Sequence, residues 1–379
     1  MISNTTLEET DLVEAAVSWL SENLPSNWAV ERSSRAIPGA GAGDSQRRAD
    51  AVIELRAPNS TYATVAVEAR QSFPPRDVEK LLPGLTRLLR SLAGNVPMLV
   101  VAPWLSARTQ ELLGKEGINF IDLTGNALIR LENPVVYIRT TGAARNPEPE
   151  PRGRARVRGP KAARLLRLLA DVRPPYGVRE IAGAAQLTPG YVSRLLDALD
   201  REALIERSRE GKVESVDVPA LLRRWTESYD VLKTNETRRF IAPVGVTKAI
   251  ERLSAAPRQP RLAITGSFAA VRLAPVAAPA LLLAYTEEMA SVVDALDLLP
   301  ADEGANVALL RPFDRVVWDR NTTEDGMTYV TPSQAAVDCL TGTGRMPAEG
   351  EALLNWMTEN EPRWRLNSLS ELADPGEQP

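Results

Sequence analysis

Two acidic residues and one arginine near the start of the chain could support phosphodiester chemistry. Asp50 heads one strand-like run, and Glu68 and Arg70 end the next. Two convergent carboxylates can hold a divalent metal that activates water. Arginine stays protonated and offers a planar fork, which suits it to holding a phosphate more than to activating a metal-bound water. These three residues therefore predict a vestigial metal site and not an efficient catalytic site.

The composition excludes several other kinds of catalytic site. The chain has no histidine and a single cysteine, Cys339. Ser-His and Cys-His nucleophile pairs, histidine-based metal sites, zinc clusters and an internal disulfide are therefore excluded. Gly266-Ser267 is similar to the Gly-Ser element of nucleotidyltransferases, but the strand-like run Ala280–Tyr285 that follows has no carboxylates one residue apart. We therefore expect no catalysis there, and no bound metal or cofactor.

A second set of residues has types suited to nucleic acid. It combines cations, which bind phosphate, with small and polar residues that can approach base edges. Its members are Arg179, Thr188, Pro189, Gly190, Tyr191, Ser193, Arg194, Arg207, Arg209 and Lys212. Arg194 is the best single candidate for reading a base. Double-stranded DNA is therefore the expected partner.

Three predicted helices would position these residues. The first runs from Pro160 to the stop at Arg173-Pro174-Pro175, and the second spans Val178–Ala185. After a turn at Gln186-Leu187, Thr188 can cap a third helix with Pro189 at its first position. The inner face of the third helix holds four apolar residues, Val192, Leu195, Leu196 and Leu199. The pattern is typical of a helix-turn-helix, whose last helix enters the major groove.

A short hairpin follows the third helix. Strand-like runs at Leu204–Arg207 and Val213–Val216 flank a tip in which Gly211 can adopt positive φ. Arg207, Arg209 and Lys212 would then approach the DNA backbone or minor groove, adding affinity and salt dependence more than sequence choice. Residues Pro160 to Val216 are therefore interpreted as a winged helix-turn-helix.

Local charge agrees with this interpretation. Between Arg152 and Lys212 there are 14 Lys/Arg and 7 Asp/Glu, a net charge of +7, whereas the whole chain carries −4. The rest of the chain is therefore acidic, and the basic character is local to residues 152–212. A winged helix that binds protein rather than DNA remains the less favoured interpretation.

The elements around Asp50 and Glu68 predict an alternating α/β domain. Helices are expected over Glu8–Leu24, Val78–Leu92 and Ala107–Lys115, and strands over Trp28–Val30, Ala49–Leu55, Thr64–Arg70, Met98–Ala102 and Phe120–Ile121. With its two acids and Arg70, this domain resembles the PD-(D/E)xK restriction-endonuclease-like fold. The resemblance implies Asp50 and Glu68 as vestigial metal ligands and Arg70 in the place of the lysine. An inactive domain is favoured, and a metal-dependent DNA nuclease guided by the winged helix is the alternative.

Short motifs after the wing, in a region that predicts a further α/β domain, carry a second resemblance. They are Thr265-Gly266-Ser267, Leu309-Leu310-Arg311-Pro312, Val330-Thr331-Pro332-Ser333-Gln334, Asp338-Cys339-Leu340 and Gly344-Arg345. In this order, and C-terminal to a winged helix, they resemble the abortive-infection type IV antitoxin regulators (the AbiEi family). The run Gly117–Ala127 is also similar to sequences of longer members, although the long N-terminal domain departs from the smallest ones. The resemblance implies a repressor of its own promoter that counteracts a nucleotidyltransferase toxin without binding it.

We therefore expect an α/β multidomain protein in five parts. These are an endonuclease-like domain (1–141), a Pro-rich linker (142–159), a winged helix-turn-helix (160–232), an antitoxin-like α/β domain (233–372) and a disordered tail (373–379). In the last domain, a helix interrupted at Pro243-Val244-Gly245 is expected over Phe240–Leu253, and a strand is expected over Arg315–Trp318. No run reaches the ~18–20 apolar residues of a membrane span, and the N-terminus lacks the features of a signal peptide. A cytoplasmic protein is expected, and its oligomeric state is left open.

Overall fold

The computed structural model describes residues 8–33, 49–80, 96–147, 157–255 and 259–372. The chain divides into two compact units, one formed by Met1–Arg154 with Arg201–Ala203 and the other by Ala155–Asp200 with Leu204–Pro379. Both units are mixed α/β. None of the described helices is long and apolar enough to cross a membrane.

The first unit is built on a seven-stranded sheet whose strands follow one another in chain order, β1 to β7. Strands β1 to β3 are antiparallel, β3 to β5 are parallel, and β5 to β7 are antiparallel again. The elements are α1 (Glu9–Asn23), β1 (Ala29–Arg32), β2 (Ala51–Arg56), β3 (Tyr62–Ala69), α2 (Pro75–Lys80), β4 (Met98–Ala102), α3 (Ala107–Lys115), β5 (Asn119–Asp122), β6 (Ala127–Glu132) and β7 (Val135–Thr140).

Each face of this sheet is covered by an apolar cluster. On one face Leu12 and Leu20 of α1 share a cluster with sheet residues such as Val67, and on the other face Val78 and Leu113 lie in a second cluster. The described part of the predicted helix Val78–Leu92 is α2, and residues 81–95 lie outside the described ranges. The alternating α/β pattern expected for this region is confirmed.

The second unit begins with the helix-turn-helix and continues into a second seven-stranded sheet, of order β13-β10-β14-β12-β11-β16-β15. Its helices are α4 (Pro160–Asp171), α5 (Val178–Ala184), α6 (Pro189–Arg201), α7 (Val218–Thr226), α8 (Val231–Thr234), α9 (Val246–Ser254), α10 (Ser267–Ala270), α11 (Met289–Ala295), α12 (Pro332–Leu340), α13 (Met346–Glu359) and α14 (Glu361–Trp364). Its strands are β8 (Ile205–Arg207), β9 (Val213–Val216), β10 (Glu236–Ile241), β11 (Ala263–Thr265), β12 (Leu282–Tyr285), β13 (Leu299–Pro300), β14 (Val307–Arg311), β15 (Thr322–Glu324) and β16 (Met327–Tyr329). Two 3-10 helices lie at Arg315–Trp318 and Leu369–Leu372.

Two expectations for this unit were wrong. The predicted helix Phe240–Leu253 is a strand up to Ile241, because Phe240 is buried and pairs with β14, and the helix starts only at Val246 after Gly245 at φ +85°. The predicted strand Arg315–Trp318 is a 3-10 helix, because the Asp314 carboxylate accepts a hydrogen bond from the backbone N–H of Val316 at 3.0 Å and caps the turn.

The second unit has two buried apolar clusters, and the larger one joins the helix-turn-helix to the C-terminal region. It contains Leu166 and Leu196 of the helix-turn-helix together with Leu310, Val337 and Leu353 from beyond residue 233. The first helix, α4, is buried on nearly every side. The helix-turn-helix and the C-terminal α/β region, predicted from the sequence as two domains, belong to one compact unit in this structure.

Candidate nucleic-acid interface

Helix α6 has one deeply buried face and one open face. Val192, Leu195, Leu196 and Leu199 are fully buried, in agreement with the predicted inner face. Thr188, Pro189, Gly190 and Arg194 are exposed, and Tyr191 and Ser193 are half-buried. A Cβ built on Gly190 would meet no atom within 4 Å. The N-terminal half of α6 therefore offers an unobstructed surface that carries a guanidinium, hydroxyls and a glycine.

Tyr191 and Arg194 are electrostatic neighbours on this surface. Partial burial raises the pKa of the Tyr191 phenol, and the positive charge of Arg194 opposes that shift. The two residues are three positions apart, which places them side by side on a helix. The phenol therefore stays protonated and can donate a hydrogen bond beside the guanidinium.

The turn before α6 is tightly built. Gln186 adopts φ +54°, and the N–H of Leu187 donates to the carbonyl of Ala182 at 2.9 Å. Upstream, the Glu180 carboxylate accepts a hydrogen bond from the N–H of Gly177 at 2.6 Å and thereby caps α5. Arg179 is exposed at the start of α5. These contacts hold the two helices in the arrangement that the sequence predicted.

The wing is a hairpin of β8 and β9, with Gly211 at φ +85° in its turn. Arg209 and Lys212 are exposed at the tip. Arg207 is engaged within the protein: its Nε and one terminal nitrogen donate to the Gly211 carbonyl at 3.1 and 3.0 Å, and the other donates to Asp197 of α6 at 2.5 Å. Arg207 therefore shapes the wing, whereas Arg209 and Lys212 extend into solvent.

Sequence reasoning missed a third strand-like segment in the wing. Tyr176 forms an antiparallel bridge with Val213, and its hydroxyl donates to the Val172 carbonyl at 3.3 Å. Burial raises the pKa of this hydroxyl. A large aromatic residue between Pro175 and Gly177 could have indicated an extended, buried segment, because the flanking residues disfavour helix.

Several cations in the basic region are paired inside the unit. Arg164 contacts Asp314 at 2.8 Å, Arg167 contacts Asp171 at 2.7 Å, and Arg173 contacts Glu361 at 3.4 Å. Arg167 is almost fully buried. The net charge counted along the sequence therefore overstates the charge available to a nucleic acid, because these side chains contact carboxylates of the same unit.

In the first unit, the three candidate metal-site residues do come together. The Asp50 carboxylate accepts a hydrogen bond from the N–H of Ala69 at 2.8 Å, and Arg70 contacts the buried Glu68 at 2.6 Å. Burial raises the pKa of the Glu68 carboxyl, the Asp50 carboxylate raises it further, and Arg70 opposes both effects. Arg70 also lies 3.6 Å from Asp77. Both contacts of the guanidinium with Glu68 are to the same oxygen, Oε1.

No group of three or more His, Cys, Asp or Glu side chains arranged to hold a metal ion occurs within the described ranges.

The segment Gly117–Ala127 contains a turn held by side-chain hydrogen bonds. Asp122 is fully buried and accepts hydrogen bonds from the N–H groups of Thr124 and Asn126 at 2.9 and 3.0 Å. These hydrogen bonds form an Asx-stabilised turn.

The motif residues of the C-terminal region meet in a buried polar network. Asp338 is fully buried and accepts hydrogen bonds from Thr265 at 2.6 Å, Tyr229 at 2.7 Å, and Tyr285 and Gln334 at 2.9 Å. Burial raises the pKa of this carboxyl to about 6, and its donors oppose the shift. Thr265, Gln334 and Asp338 therefore contribute to the core in this structure.

Comparison with known protein families agrees with the geometry of the middle of the chain. Residues 160–209 match the IclR helix-turn-helix domain, a range that contains α4, α5, α6 and the first strand of the wing. The chain therefore contains a helix-turn-helix DNA-binding domain, which indicates a DNA-binding transcriptional regulator. Searches among curated proteins and among solved structures found no significant match.

Proposed function

We propose that the chain is a sequence-specific regulator that binds operator DNA through α6 and the wing. The observation that carries this proposal is the open face of α6, where Gly190 and Arg194 are exposed directly opposite a fully buried apolar face. In helix-turn-helix proteins the N-terminal residues of the recognition helix contact base edges. Arg194 is then the base-reading side chain, with Thr188, Pro189, Tyr191, Ser193 and Arg179 around it.

A single added carboxylate tests this placement without disturbing the fold. Gly190→Glu puts the charge on the open face, where a Cβ has no neighbour within 4 Å, and an acidic residue near a helix N-terminus is tolerated. Thr247→Glu adds the same charge at an exposed position of α9 outside the helix-turn-helix. Retardation of the DNA upstream of the coding sequence should be lost with Gly190→Glu and kept with Thr247→Glu. Equal binding by both variants contradicts the proposal.

We further propose that the regulator represses its own promoter and is paired with a nucleotidyltransferase toxin. The support is the ordered set of motifs from Thr265 to Arg345 behind a helix-turn-helix. Co-expression should rescue growth from a toxin encoded by the neighbouring reading frame, with no complex recovered on purification. Rescue should fail for the Gly190→Glu variant if repression of the shared promoter is the mechanism. A neighbouring frame unrelated to nucleotidyltransferases contradicts the pairing.

For the first unit we propose a restriction-endonuclease-like fold without cleavage activity. The support is the succession α1-β1-β2-β3-α2-β4, with β4 parallel to β3, around Asp50 and Glu68. The contact between Arg70 and Glu68 favours inactivity, because a guanidinium that neutralises the carboxylate competes with a metal for it. A guided nuclease is the alternative, and the convergence of Asp50 and Glu68 is the observation in its favour.

A further inference from the structure

Three of the four edges that the described strands give to the two seven-stranded sheets are protected against pairing with another chain. Strand β13 has two residues and contains Pro300, which has no N–H to donate. Strand β15 has three exposed residues, and its Glu324 contacts Arg272. Strand β1 has four residues and ends in the exposed charges of Glu31 and Arg32. Short strands, proline and charged side chains are the means by which proteins prevent sheets from joining at their edges.

The fourth edge, β7, is longer and more apolar. It has six residues, and Arg139 is its single charged residue. Its backbone pairs with β6 on one side, and β7 is the last strand of the described sheet on the other. Val135 and Tyr137 are 83% and 66% exposed, the two highest values among large hydrophobic side chains in the described part of the chain. An edge strand of this kind is a template for pairing with a further strand.

A second copy of β7 complements this edge when the two strands run antiparallel with Tyr137 opposite its own counterpart. A two-fold axis perpendicular to the sheet then places Val136 opposite Ile138 of the second copy. Val136 and Ile138 belong to the apolar cluster on the α1 face, so the pairing would extend that cluster. On the other face the two Tyr137 rings would be neighbours, because directly opposite residues have Cβ atoms about 4.5–5.5 Å apart.

Charge favours this register. Glu132 of β6 is paired with Val135, and both Glu132 and Arg139 are exposed. With Tyr137 at the centre, Arg139 of the second copy would lie opposite Val135, two strand spacings from Glu132. Because neighbouring strands are about 4.8 Å apart, the two long side chains can meet above Val135. The two-fold symmetry produces this carboxylate–guanidinium pair twice.

The neighbouring register, centred on Ile138, lacks this complementarity. It would place Arg139 of the second copy opposite Tyr137, whose partner on β6 is Arg130. Two guanidinium groups would then flank each Tyr137 ring, and no carboxylate would lie in the same row. Like charges brought together in this way oppose association.

We propose that β7 is a self-association edge, through which two copies of the chain join their N-terminal sheets as antiparallel strands centred on Tyr137. The interface lies in the first unit, outside residues 160–209, which match the helix-turn-helix domain. It is therefore independent of the proposed function in DNA binding.

Sedimentation velocity on the full chain, without DNA, tests the interface. Concentrations from about 1 to 100 µM should show a reversible equilibrium between monomer and dimer. Tyr137→Lys should raise the dissociation constant of the dimer about tenfold or more, because it sets two ammonium groups opposite each other. Tyr62→Lys is the matched control: Tyr62 is 62% exposed on β3, inside the same sheet, and its substitution should change the dissociation constant by less than about threefold. Monomer at every concentration, or equal dimerisation by both variants, overturns the proposal.

A charge exchange tests the register. Arg139→Glu would bring a second carboxylate towards Glu132 of the other copy and should weaken the dimer about tenfold or more. Glu132→Arg combined with Arg139→Glu reverses both charges and should recover most of the lost affinity. Both positions are exposed, and circular dichroism checks that each variant folds. A dimer that Arg139→Glu leaves intact, or that the double variant does not recover, overturns the proposed pairing.

Discussion

Arg207 at the end of β8 donates a hydrogen bond to Asp197 of α6 across 2.5 Å, which ties the wing to the proposed recognition helix. The same guanidinium donates twice to the Gly211 carbonyl. One side chain therefore contacts both the recognition helix and the hairpin tip, although its charge alone would suggest a contact with DNA.

Substitutions of the two partners should act in opposite directions. Arg207→Ala removes the contacts to Asp197 and Gly211, so we expect weaker DNA binding and a lower thermal midpoint. Asp197→Asn removes a half-exposed negative charge from the same surface, so we expect DNA binding to strengthen on specific and random duplexes alike, at a stability cost within about 1 kcal/mol. Retardation and thermal unfolding measure both effects. Loss of affinity without loss of stability in Arg207→Ala would show that Arg207 acts by contacting DNA.

Arg194→Ala should relax sequence preference. An arginine that contacts a base edge contributes about 1–3 kcal/mol, and its loss should reduce binding to the operator while leaving random duplex nearly unaffected. Competition titrations at fixed salt measure this difference. Lys248→Ala, on α9, is the matched control for loss of one exposed cation. Equal loss on operator and random duplex contradicts base reading by Arg194.

Lys212→Ala should instead weaken binding to every duplex. Lys212 is exposed at the wing tip, and a phosphate contact there releases counterions. Its loss should reduce the slope of log Kd against log salt concentration by about 0.9. Titrations at four salt concentrations, with Arg209→Ala in parallel, measure the slope. An unchanged slope would place Lys212 away from the DNA backbone.

Asp338 should make the stability of the second unit depend on pH. Its pKa is raised to about 6, so between about pH 4 and pH 6 the folded state binds more protons than the unfolded state. The contribution of Asp338 to the free energy of unfolding therefore increases as pH falls through about 6, and it reaches its full value below the unfolded pKa of about 4. Asp338→Asn cannot titrate at this position. Relative to that variant, the free energy of unfolding of the wild type should increase by roughly 3 kcal/mol as pH falls from about 6 to about 4. Urea unfolding at pH 4.5, 5.5 and 7 measures the difference, and a difference independent of pH contradicts it.

Magnesium and manganese should not induce cleavage of DNA. Arg70 pairs with Glu68 at 2.6 Å, and this ion pair competes with a metal for the negative charge of the carboxylate. Incubation of supercoiled plasmid with the protein and either metal should yield no nicked product. Metal-dependent nicking that disappears in Asp50→Asn but persists in Glu54→Gln, on β2 nearby, would establish the nuclease alternative.

Much of the fold was predictable where local patterns agree with the tertiary environment. The apolar spacing of Val192, Leu195 and Leu199 predicted the inner face of α6, and Gly211 predicted the wing turn. Both features depend on short-range geometry. Two predictions were wrong because tertiary contacts overrode local propensity. Phe240 pairs with a neighbouring strand, and the carboxylate of Asp314 caps the turn that begins at Arg315.

The sequence by itself determined the chemistry available to this protein: no histidine, one cysteine, a helix-turn-helix with Arg194 on its outward side, and two carboxylates with an arginine. Only the tertiary structure decided which charges are free. Arg164, Arg167 and Arg207 are engaged by Asp314, Asp171 and Asp197, partners that lie between 4 and 150 positions away along the chain. A cation's availability depends on the carboxylates around it in space, and the packing of the elements that carry both groups sets these neighbours.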